Sequence, residues 1–325
     1  MRMCTSGNMM CYQNRTTLIS LPELSITLMK KKYVPSLQLM KSDHTSKSQK
    51  TALIIGPGGL RGAYNAGVAV GLGRALGTDW VDGVYASSVG VYMAAFFAAK
   101  QFHPIEHVWR NLVHGDQLVD ITKLSQGRNW LDLEYLMQVL NQEDKNTRLD
   151  VSEVISSSVA VTFTLTRKRD GESVYVQPEE DNLFPLMTAS CAVPWMHPPV
   201  KIDGERYIDG GLSDPLSVDK AFADGYDKLI VVDETPVGSL PSTYTMWWLS
   251  FLFASPLSKK VANYGHRNQS IKRQAAENNS VIFIRPKDEL PMNSFMDTSE
   301  KRINATFDRG LMDAQRKSDE IKDIK

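Results

Sequence analysis

Ser88 is the residue in this sequence whose surroundings most directly suggest chemistry. It lies in the stretch VYASSVGVYM at 84–93, between a strand-like run and a helix-like run. The five residues from Ala86 to Gly90 read A-x-S-x-G, close to the G-x-S-x-G turn that raises a nucleophilic serine above a parallel sheet. Alanine at the first position adds one methyl group where strand and helix nearly touch. The pattern indicates a nucleophilic serine on a slightly altered turn.

A glycine-rich segment, GPGGLRG at 56–62, precedes this serine. Arg61 stands where a dinucleotide-binding loop needs its third glycine, and no Gly-Lys-Ser/Thr ending of a P-loop follows. Successive backbone N–H groups at a helix N-terminus are well suited to bind a negative oxygen. Pro57 has no N–H. The predicted oxyanion donors are therefore the three residues that follow it, Gly58, Gly59 and Leu60.

Asp209 is the third polar group of interest, in the stretch YIDGGLSDPLSV at 207–218. It follows a strand-like run, and Gly210 and Gly211 allow its carboxylate to come close to another loop. A carboxylate within hydrogen-bonding reach of a serine can orient the hydroxyl and accept its proton. An aspartate in such a position alone is more often a turn residue. The three motifs together, in this order, favour a Ser-Asp pair.

The elements that must position these residues are typical of an α/β protein. Strand-turn-helix units begin at 51 and at 81, which predicts a mostly parallel sheet with helices on both faces. The segment 157–177 predicts two strands joined by a turn at Asp170-Gly171. Further strands are expected at 229–233 and 281–284, and a charged, exposed helix at 305–325.

Composition excludes several classes of protein. Lys+Arg and Asp+Glu each number 37, so no net charge would recruit nucleic acid or an anionic membrane. The cysteines Cys4, Cys11 and Cys191 lack C-x-x-C spacing, which argues against a disulfide scaffold or thiolate metal site and favours a reducing compartment, the cytoplasm. No run approaches the roughly 18 apolar residues of a membrane span.

Through these motifs the chain resembles the patatin-like phospholipase family over about residues 51–235, and is most similar to its bacterial branch. The resemblance is carried by GGLRG as the oxyanion loop, ASSVG as the serine turn, DGG as the acidic motif, and the run from Ser190 to Pro215 that leads into it. It implies a three-layer α/β/α fold with a central, mostly parallel sheet and a C-terminal helical region. The expected domains are an irregular extension at 1–50, a catalytic domain at 51–235 and a mainly helical region at 236–325.

The resemblance also implies a mechanism without histidine, metal or cofactor. Ser88 would attack an ester of a phospholipid or another lipid, and Asp209 would take and return the proton. A carboxylate with a pKa of roughly 3.9 is a weak base, so burial must raise the pKa. The remaining motif positions would support this geometry: Arg61, Gly62, Gly90, Gly210 and Gly211.

Two alternatives remain open. An α/β-hydrolase would order its triad as Ser88, Asp233 and His266, although His266 lies in a polar segment with no strand before it. A degenerate member of the family would only bind lipid or a membrane surface. The aromatic cluster that could provide peripheral membrane contact, or pack on the core instead, contains Trp247, Trp248, Phe251 and Phe253.

Overall fold

The computed structural model describes residues 49–120, 122–123, 129–236 and 279–323. These residues form a three-layer α/β/α fold around one eight-stranded sheet. The strands are β1 Thr51–Ile55, β2 Gly83–Ser87, β3 Ala160–Arg167, β4 Ser173–Val176, β5 Val200–Ile202, β6 Glu205–Ile208, β7 Lys228–Val232 and β8 Val281–Ile284. The helices are α1 Ala63–Leu76, α2 Gly90–Ala98, α3 Phe102–Asn111, α4 Leu133–Asn141, α5 Val151–Ile155, α6 Leu183–Ser190, α7 Val218–Ala223 and α8 Glu300–Lys322. None of these helices is long and apolar enough to cross a bilayer.

The sheet has a parallel centre and an antiparallel edge. Strands β3, β2, β1, β7 and β8 run parallel in that spatial order, whereas β4 and β6 pair antiparallel with β3, and β5 pairs antiparallel with β6. The carboxyl ends of parallel strands meet at one edge, which is where open α/β sheets bind their ligands. The glycine-rich loop after β1 and Ser88 after β2 consequently lie at the same edge.

Both faces of the central strands are buried. In β1, Leu53 and Ile55 belong to the larger core, which includes α1 and α2, while Ala52 and Ile54 belong to a smaller core that includes α7. A strand covered on both sides needs apolar residues at every position. This explains why β1 reads as an unbroken apolar run rather than an alternating one.

The predicted central strands and the hairpin are confirmed. Strands β3 and β4 pair antiparallel from Phe163 opposite Val176 to Thr166 opposite Ser173, and Gly171 in the turn has a φ of 70°. The strand before Asp209, β6, was expected, but its pairing with β5 in a hairpin was not, because the two strands have only four and three residues and include charged side chains. This hairpin leads directly into Asp209.

The C-terminal helix was predicted to be exposed, but the structure shows that one of its faces is buried. It begins at Glu300, and one face is buried through Ile303, Phe307 and Ala314. It packs closely on α1, where a Cβ atom added to Gly67 would lie 2.1 Å from the carbonyl oxygen of Phe307. The other face is exposed and rich in charged residues.

The predicted domain boundaries remain predictions. The N-terminal segment 1–48 and the segment 237–278 lie outside the described residues. Beyond residue 235, β8 pairs in parallel with β7 and so extends the same sheet.

At the contact between α1 and α8, packing and helix propensity predict opposite changes in stability for a glycine-to-alanine substitution. Replacing a helical glycine with alanine normally stabilises a helix by about 0.8–1.0 kcal/mol. At Gly67 the new methyl group meets backbone rather than a flexible side chain, so we expect Gly67→Ala to lower the free energy of unfolding by about 1–3 kcal/mol. Urea unfolding measures this difference. Met312→Ala, on the exposed face of α8, should change it little, and a gain in stability for Gly67→Ala would contradict the packing argument.

Candidate active site

Ser88 lies in a strained turn between β2 and α2. Its φ is 52°, a left-handed conformation that non-glycine residues adopt only where the surroundings hold them in place. Its backbone N–H donates to the hydroxyl of Ser190 at 2.9 Å, and that hydroxyl donates to the carbonyl of Thr164 at 2.9 Å. Ala86 is fully packed in the core below the turn. The turn therefore accommodates the extra methyl group.

The structure brings Ser88 and Asp209 together. The Ser88 hydroxyl donates to Oδ2 of Asp209 at 2.7 Å, and both side chains are buried, with exposed fractions of 7% and 5%. The other carboxylate oxygen accepts the N–H of Gly211 at 2.8 Å. The Thr166 hydroxyl donates to the backbone carbonyl of Asp209 at 2.7 Å. Asp209 is thus fixed through both its main chain and its side chain.

Burial changes the acid–base behaviour of this carboxyl group. Removal from water raises the pKa of Asp209 from 3.8 to about 6, while hydrogen bonds from Ser88 and from the Gly211 N–H oppose the rise. The carboxylate is therefore a stronger base than an exposed aspartate and is still ionised at neutral pH. Asp209 therefore has the burial that a carboxylate needs in order to act as a base near neutral pH.

The glycine-rich loop is held beside the start of α1. Gly58 and Gly59 have φ values of 153° and 57°, conformations that favour glycine. The side-chain amide of Asn65 donates to the carbonyls of Gly56 and Pro57 at 3.0 and 3.3 Å. Because their carbonyls are tied to α1, these loop residues are fixed relative to the helix.

The prediction of Leu60 as a third oxyanion donor is corrected by this structure. Its N–H donates to the carbonyl of Phe295 at 2.7 Å and is therefore occupied. In the described part of the chain, neither Gly58 nor Gly59 donates its N–H to a protein acceptor. These two groups remain from the predicted set.

The supporting motif residues lie where strand, loop and helix approach most closely. A Cβ atom at Gly90 would lie 2.6 Å from the carbonyl oxygen of Ile55, and one at Gly210 only 1.8 Å from that of Thr164. A Cβ atom at Gly62 would instead meet the side chain of Val89, at 2.6 Å. Gly90 and Gly210 leave no room for a side chain, and this close approach brings the serine turn and the aspartate loop against the sheet.

Arg61 pairs with a group other than the aspartate. Its guanidinium lies 3.3 Å from Oε1 of Glu234, a partly buried ion pair at the rim of the site. Glu234 follows β7 and could not be matched to Arg61 from sequence spacing. Arg61 is therefore paired with a carboxylate other than the one that accepts the Ser88 hydroxyl.

A cavity of about 810 Å³ opens onto these groups. Part of its lining comes from the residues of the site: Ser88, Asp209, Gly58 and Gly59. Much of the remaining lining is apolar and comes from α2, α3, α4 and the segment between the last two: Phe96, Ile105, Val108, Trp109, Val113, Leu118, Leu133, Leu136 and Leu140. Pockets of this volume and polarity are typical small-molecule sites.

The alternative triad is not assembled around Ser88 in the described residues. Asp209, and not Asp233, is the carboxylate that accepts the Ser88 hydroxyl. His266 lies outside the described residues, as do the aromatic residues expected at a membrane surface: Trp247, Trp248, Phe251 and Phe253. The proposed contact through those aromatics stays a prediction.

The site combines a strained serine turn on a parallel α/β sheet, a buried aspartate and a glycine-rich loop. This is the combination expected of the family that the sequence resembles. The family model for patatin-like phospholipase matches residues 53–222, more than half of the chain. The chain belongs to the patatin-like phospholipase family.

Individual relatives are distant. An uncharacterized Escherichia coli K12 protein, YjjU, is 25% identical over 188 residues, which cover 58% of this chain and 52% of the relative. An uncharacterized NTE family protein of Mycobacterium tuberculosis is 28% identical over 171 residues, 53% of this chain and 45% of the relative. The mouse 1-acylglycerol-3-phosphate O-acyltransferase Pnpla3 is 38% identical over 73 residues, 21% of this chain and 17% of the relative. The chain spans about half the length or less of these curated relatives.

Among solved structures, VipD from Legionella pneumophila aligns with a TM-score of 0.40 and 11% identity. The alignment covers 83% of this chain and 67% of that chain.

The raised pKa of Asp209 predicts that its carboxylate destabilises the fold at neutral pH. Between about pH 4 and pH 6 the unfolded chain releases this proton while the native state keeps it, so native stability falls as the pH rises. We expect Asp209→Asn to be more stable than the native protein by about 1–3 kcal/mol at pH 8, with the difference vanishing below about pH 4. Urea unfolding at the two pH values measures it.

Asp297 provides a control of opposite sign. Hydrogen bonds from Arg302 lower the pKa of Asp297 to about 2, so its ionised form stabilises the fold above pH 4. Asp297→Asn should therefore be less stable than the native protein at pH 8. Equal losses of stability in both variants at pH 8 would show that burial does not raise the pKa of Asp209.

Proposed function

We propose that the protein is a serine acyl hydrolase that cleaves carboxylic esters of lipids, with Ser88 as nucleophile and Asp209 as general base. The observation that carries the proposal is the 2.7 Å hydrogen bond between the two side chains, in a strained turn at a largely apolar cavity. Membership of the patatin-like family and the apolar lining both support a lipid substrate.

The first half of the reaction forms an acyl-enzyme. Oγ of Ser88 attacks the ester carbonyl carbon while its proton passes to Oδ2 of Asp209, and the carbonyl oxygen becomes an oxyanion. We assign the N–H groups of Gly58 and Gly59 as donors to that oxyanion. Asp209 then returns the proton to the leaving alkoxide, which departs as an alcohol.

The second half releases the fatty acid. Asp209, again ionised, takes a proton from water, whose oxygen attacks the acyl carbon. The tetrahedral intermediate breaks the bond to Oγ, and the proton returns to Ser88. The base needed in both halves is one group, so the rate should rise with pH through about pH 6, the pKa of Asp209.

Covalent labelling tests the proposed nucleophile. We expect a fluorescent fluorophosphonate to modify Ser88 at pH 8 and to react progressively more slowly below about pH 6. Ser88→Ala should remove the label and reduce ester hydrolysis by on the order of 10³-fold or more, and Asp209→Asn should slow both. Gel fluorescence, mass mapping of the labelled peptide and a chromogenic ester assay provide the measurements.

Ser87→Ala is the matched control. Ser87 is also buried, but its hydroxyl donates to the carbonyl of Pro215 at 2.9 Å rather than to Asp209. This variant should keep the label on Ser88. A folded native protein without label would instead support the alternative of a lipid-binding member without hydrolase activity, and label retained in Ser88→Ala would refute the nucleophile assignment.

The proposal includes peripheral contact with a lipid surface. Trp195 and Phe295 line the cavity and are 52% and 48% exposed, and aromatic side chains favour membrane interfaces. Trp247 and Trp248 add the second candidate surface expected from the sequence.

Liposome flotation distinguishes the two surfaces. We expect the double variant Trp195→Ala/Phe295→Ala to bind neutral phospholipid vesicles more weakly than the native protein, whereas Met312→Ala, exposed on α8, should bind normally. Loss only in Trp247→Ala/Trp248→Ala would assign the contact to that segment. Absence of binding by the native protein would eliminate membrane contact.

A further inference from the structure

Glu234 lies against the loop that is assigned to bind the oxyanion in the proposed reaction. A Cβ atom at Gly58 would lie 3.0 Å from both Cγ and Cδ of Glu234 and 3.3 Å from its Oε1. The Glu234 side chain is therefore packed on the α-carbon of Gly58, and only 11% of that side chain is exposed. A carboxylate thus lies next to the place where the proposed reaction develops negative charge.

The charges around the cavity make this position unfavourable for a carboxylate by itself. Among the described residues that line the cavity, the acidic side chains are Asp209, Glu234 and Glu289, and the basic one is Arg61. Two negative charges a few ångströms apart repel each other more strongly in a partly buried site than in water. An oxyanion at the glycine-rich loop would therefore be repelled by Glu234 unless a cation cancelled the charge of that side chain.

Arg61 is placed to cancel this charge. Nη2 of its guanidinium lies 3.3 Å from Oε1 of Glu234, and its backbone N–H donates to the carbonyl of Gly58 at 3.2 Å. Arg61 belongs to the turn before α1, and Glu234 follows β7, the strand that pairs in parallel with β1. Because the two side chains are partly buried, salt screens their attraction less than it screens a fully exposed pair. The ion pair therefore joins the ends of two neighbouring strands at the oxyanion loop.

We propose that Arg61 is a positioning residue that acts on the reaction through Glu234. Glu234 supports the loop by packing on Gly58, and Arg61 cancels the charge of Glu234 so that the carboxylate does not oppose the oxyanion. This role rests on the proposed function, because the oxyanion is the one formed when Ser88 attacks an ester. It differs from a direct role, in which the Arg61 guanidinium would itself bind an anionic group of the substrate.

Restoration of the rate by a second substitution separates the two roles. The substrate is p-nitrophenyl octanoate, which is uncharged and offers Arg61 no headgroup anion. We expect Arg61→Gln to lower kcat on the order of 10-fold with little change in KM, because the uncancelled carboxylate opposes the oxyanion rather than the bound ester. Arg61→Gln/Glu234→Gln, in which both charges are removed, should return to within about 3-fold of the native kcat. An unchanged kcat in Arg61→Gln, or a double variant as slow as Arg61→Gln, would overturn the proposal.

Arg309 provides a matched control for the loss of an arginine from a partly buried ion pair. Its Nε lies 3.2 Å from Oδ2 of Asp313, and the two side chains are 29% and 9% exposed, close to the 30% and 11% of Arg61 and Glu234. Neither Arg309 nor Asp313 lines the cavity. Arg309→Gln should lower Tm and leave kcat unchanged, and a fall in kcat equal to that of Arg61→Gln would contradict the proposal. If Arg61→Gln does not fold, the double variant is compared with the native protein, and a 10-fold slower double variant refutes the role.

A binding measurement keeps the proposal testable if the native protein hydrolyses no ester, a result that would count against the proposed function alone. Octanoate, whose carboxylate brings a negative charge to the site, and uncharged methyl octanoate are titrated at pH 8 into Asp209→Asn, which lacks the other carboxylate of the site. Binding is followed through the fluorescence of the tryptophans that line the cavity: Trp109, Trp130 and Trp195.

The expected change in affinity depends on the charge of the ligand. Adding Arg61→Gln to Asp209→Asn should weaken octanoate binding about 3- to 10-fold and leave the binding of methyl octanoate unchanged. Adding Glu234→Gln as well should restore the affinity for octanoate. An octanoate affinity that Arg61→Gln does not change, or that Glu234→Gln does not restore, would refute the proposal, as would the failure of octanoate to bind.

Discussion

A carboxyl group held out of water beside a strained serine is the constraint on which this site depends. The buried environment of Asp209 makes its ionised form costly, and that cost is what gives the carboxylate useful basicity. The hydrogen bonds from Ser88 and Gly211 limit the effect. With fewer donors the group would stay protonated at neutral pH, and with more it would approach the basicity of an exposed aspartate. The proposed chemistry requires the intermediate condition.

One strand sets the distance between the two groups. Thr164 and Thr166 are alternate residues of β3, which pairs with β2 on one side and with β6 on the other. The carbonyl of Thr164 accepts a hydrogen bond from the Ser190 hydroxyl, which itself accepts one from the N–H of Ser88. The hydroxyl of Thr166 donates to the carbonyl of Asp209. Contacts with β3 therefore set the positions of both Ser88 and Asp209. A change in the register of β3 would alter both at once.

A structural feature could be predicted from the sequence when the residues that mark it are close together along the chain. Strand β1, the Ser88 turn and the Asp209 loop were predictable because buried strands and tight turns impose their own residue types nearby. The contact of Ser88 with Ser190 joins residues 102 positions apart, and no local pattern marks it. The occupied N–H of Leu60 was missed for the same reason, since its acceptor, Phe295, lies in a distant loop.

The site is built from the part of the chain matched by the family model and from segments that follow it. Ser88, Asp209 and the glycine loop all lie within residues 53–222, the part matched by the family model. Glu234, which pairs with Arg61, and Phe295, which lines the cavity and occupies the N–H of Leu60, lie beyond it. The matched region therefore contains the groups of the proposed reaction and most of the apolar lining, while later segments complete the cavity wall. In the described part of the chain, the cavity-lining residues after 222 make no hydrogen bond to Ser88 or Asp209, so under the proposed function a change in them would alter the fit of the lipid before it altered the Ser88–Asp209 pair.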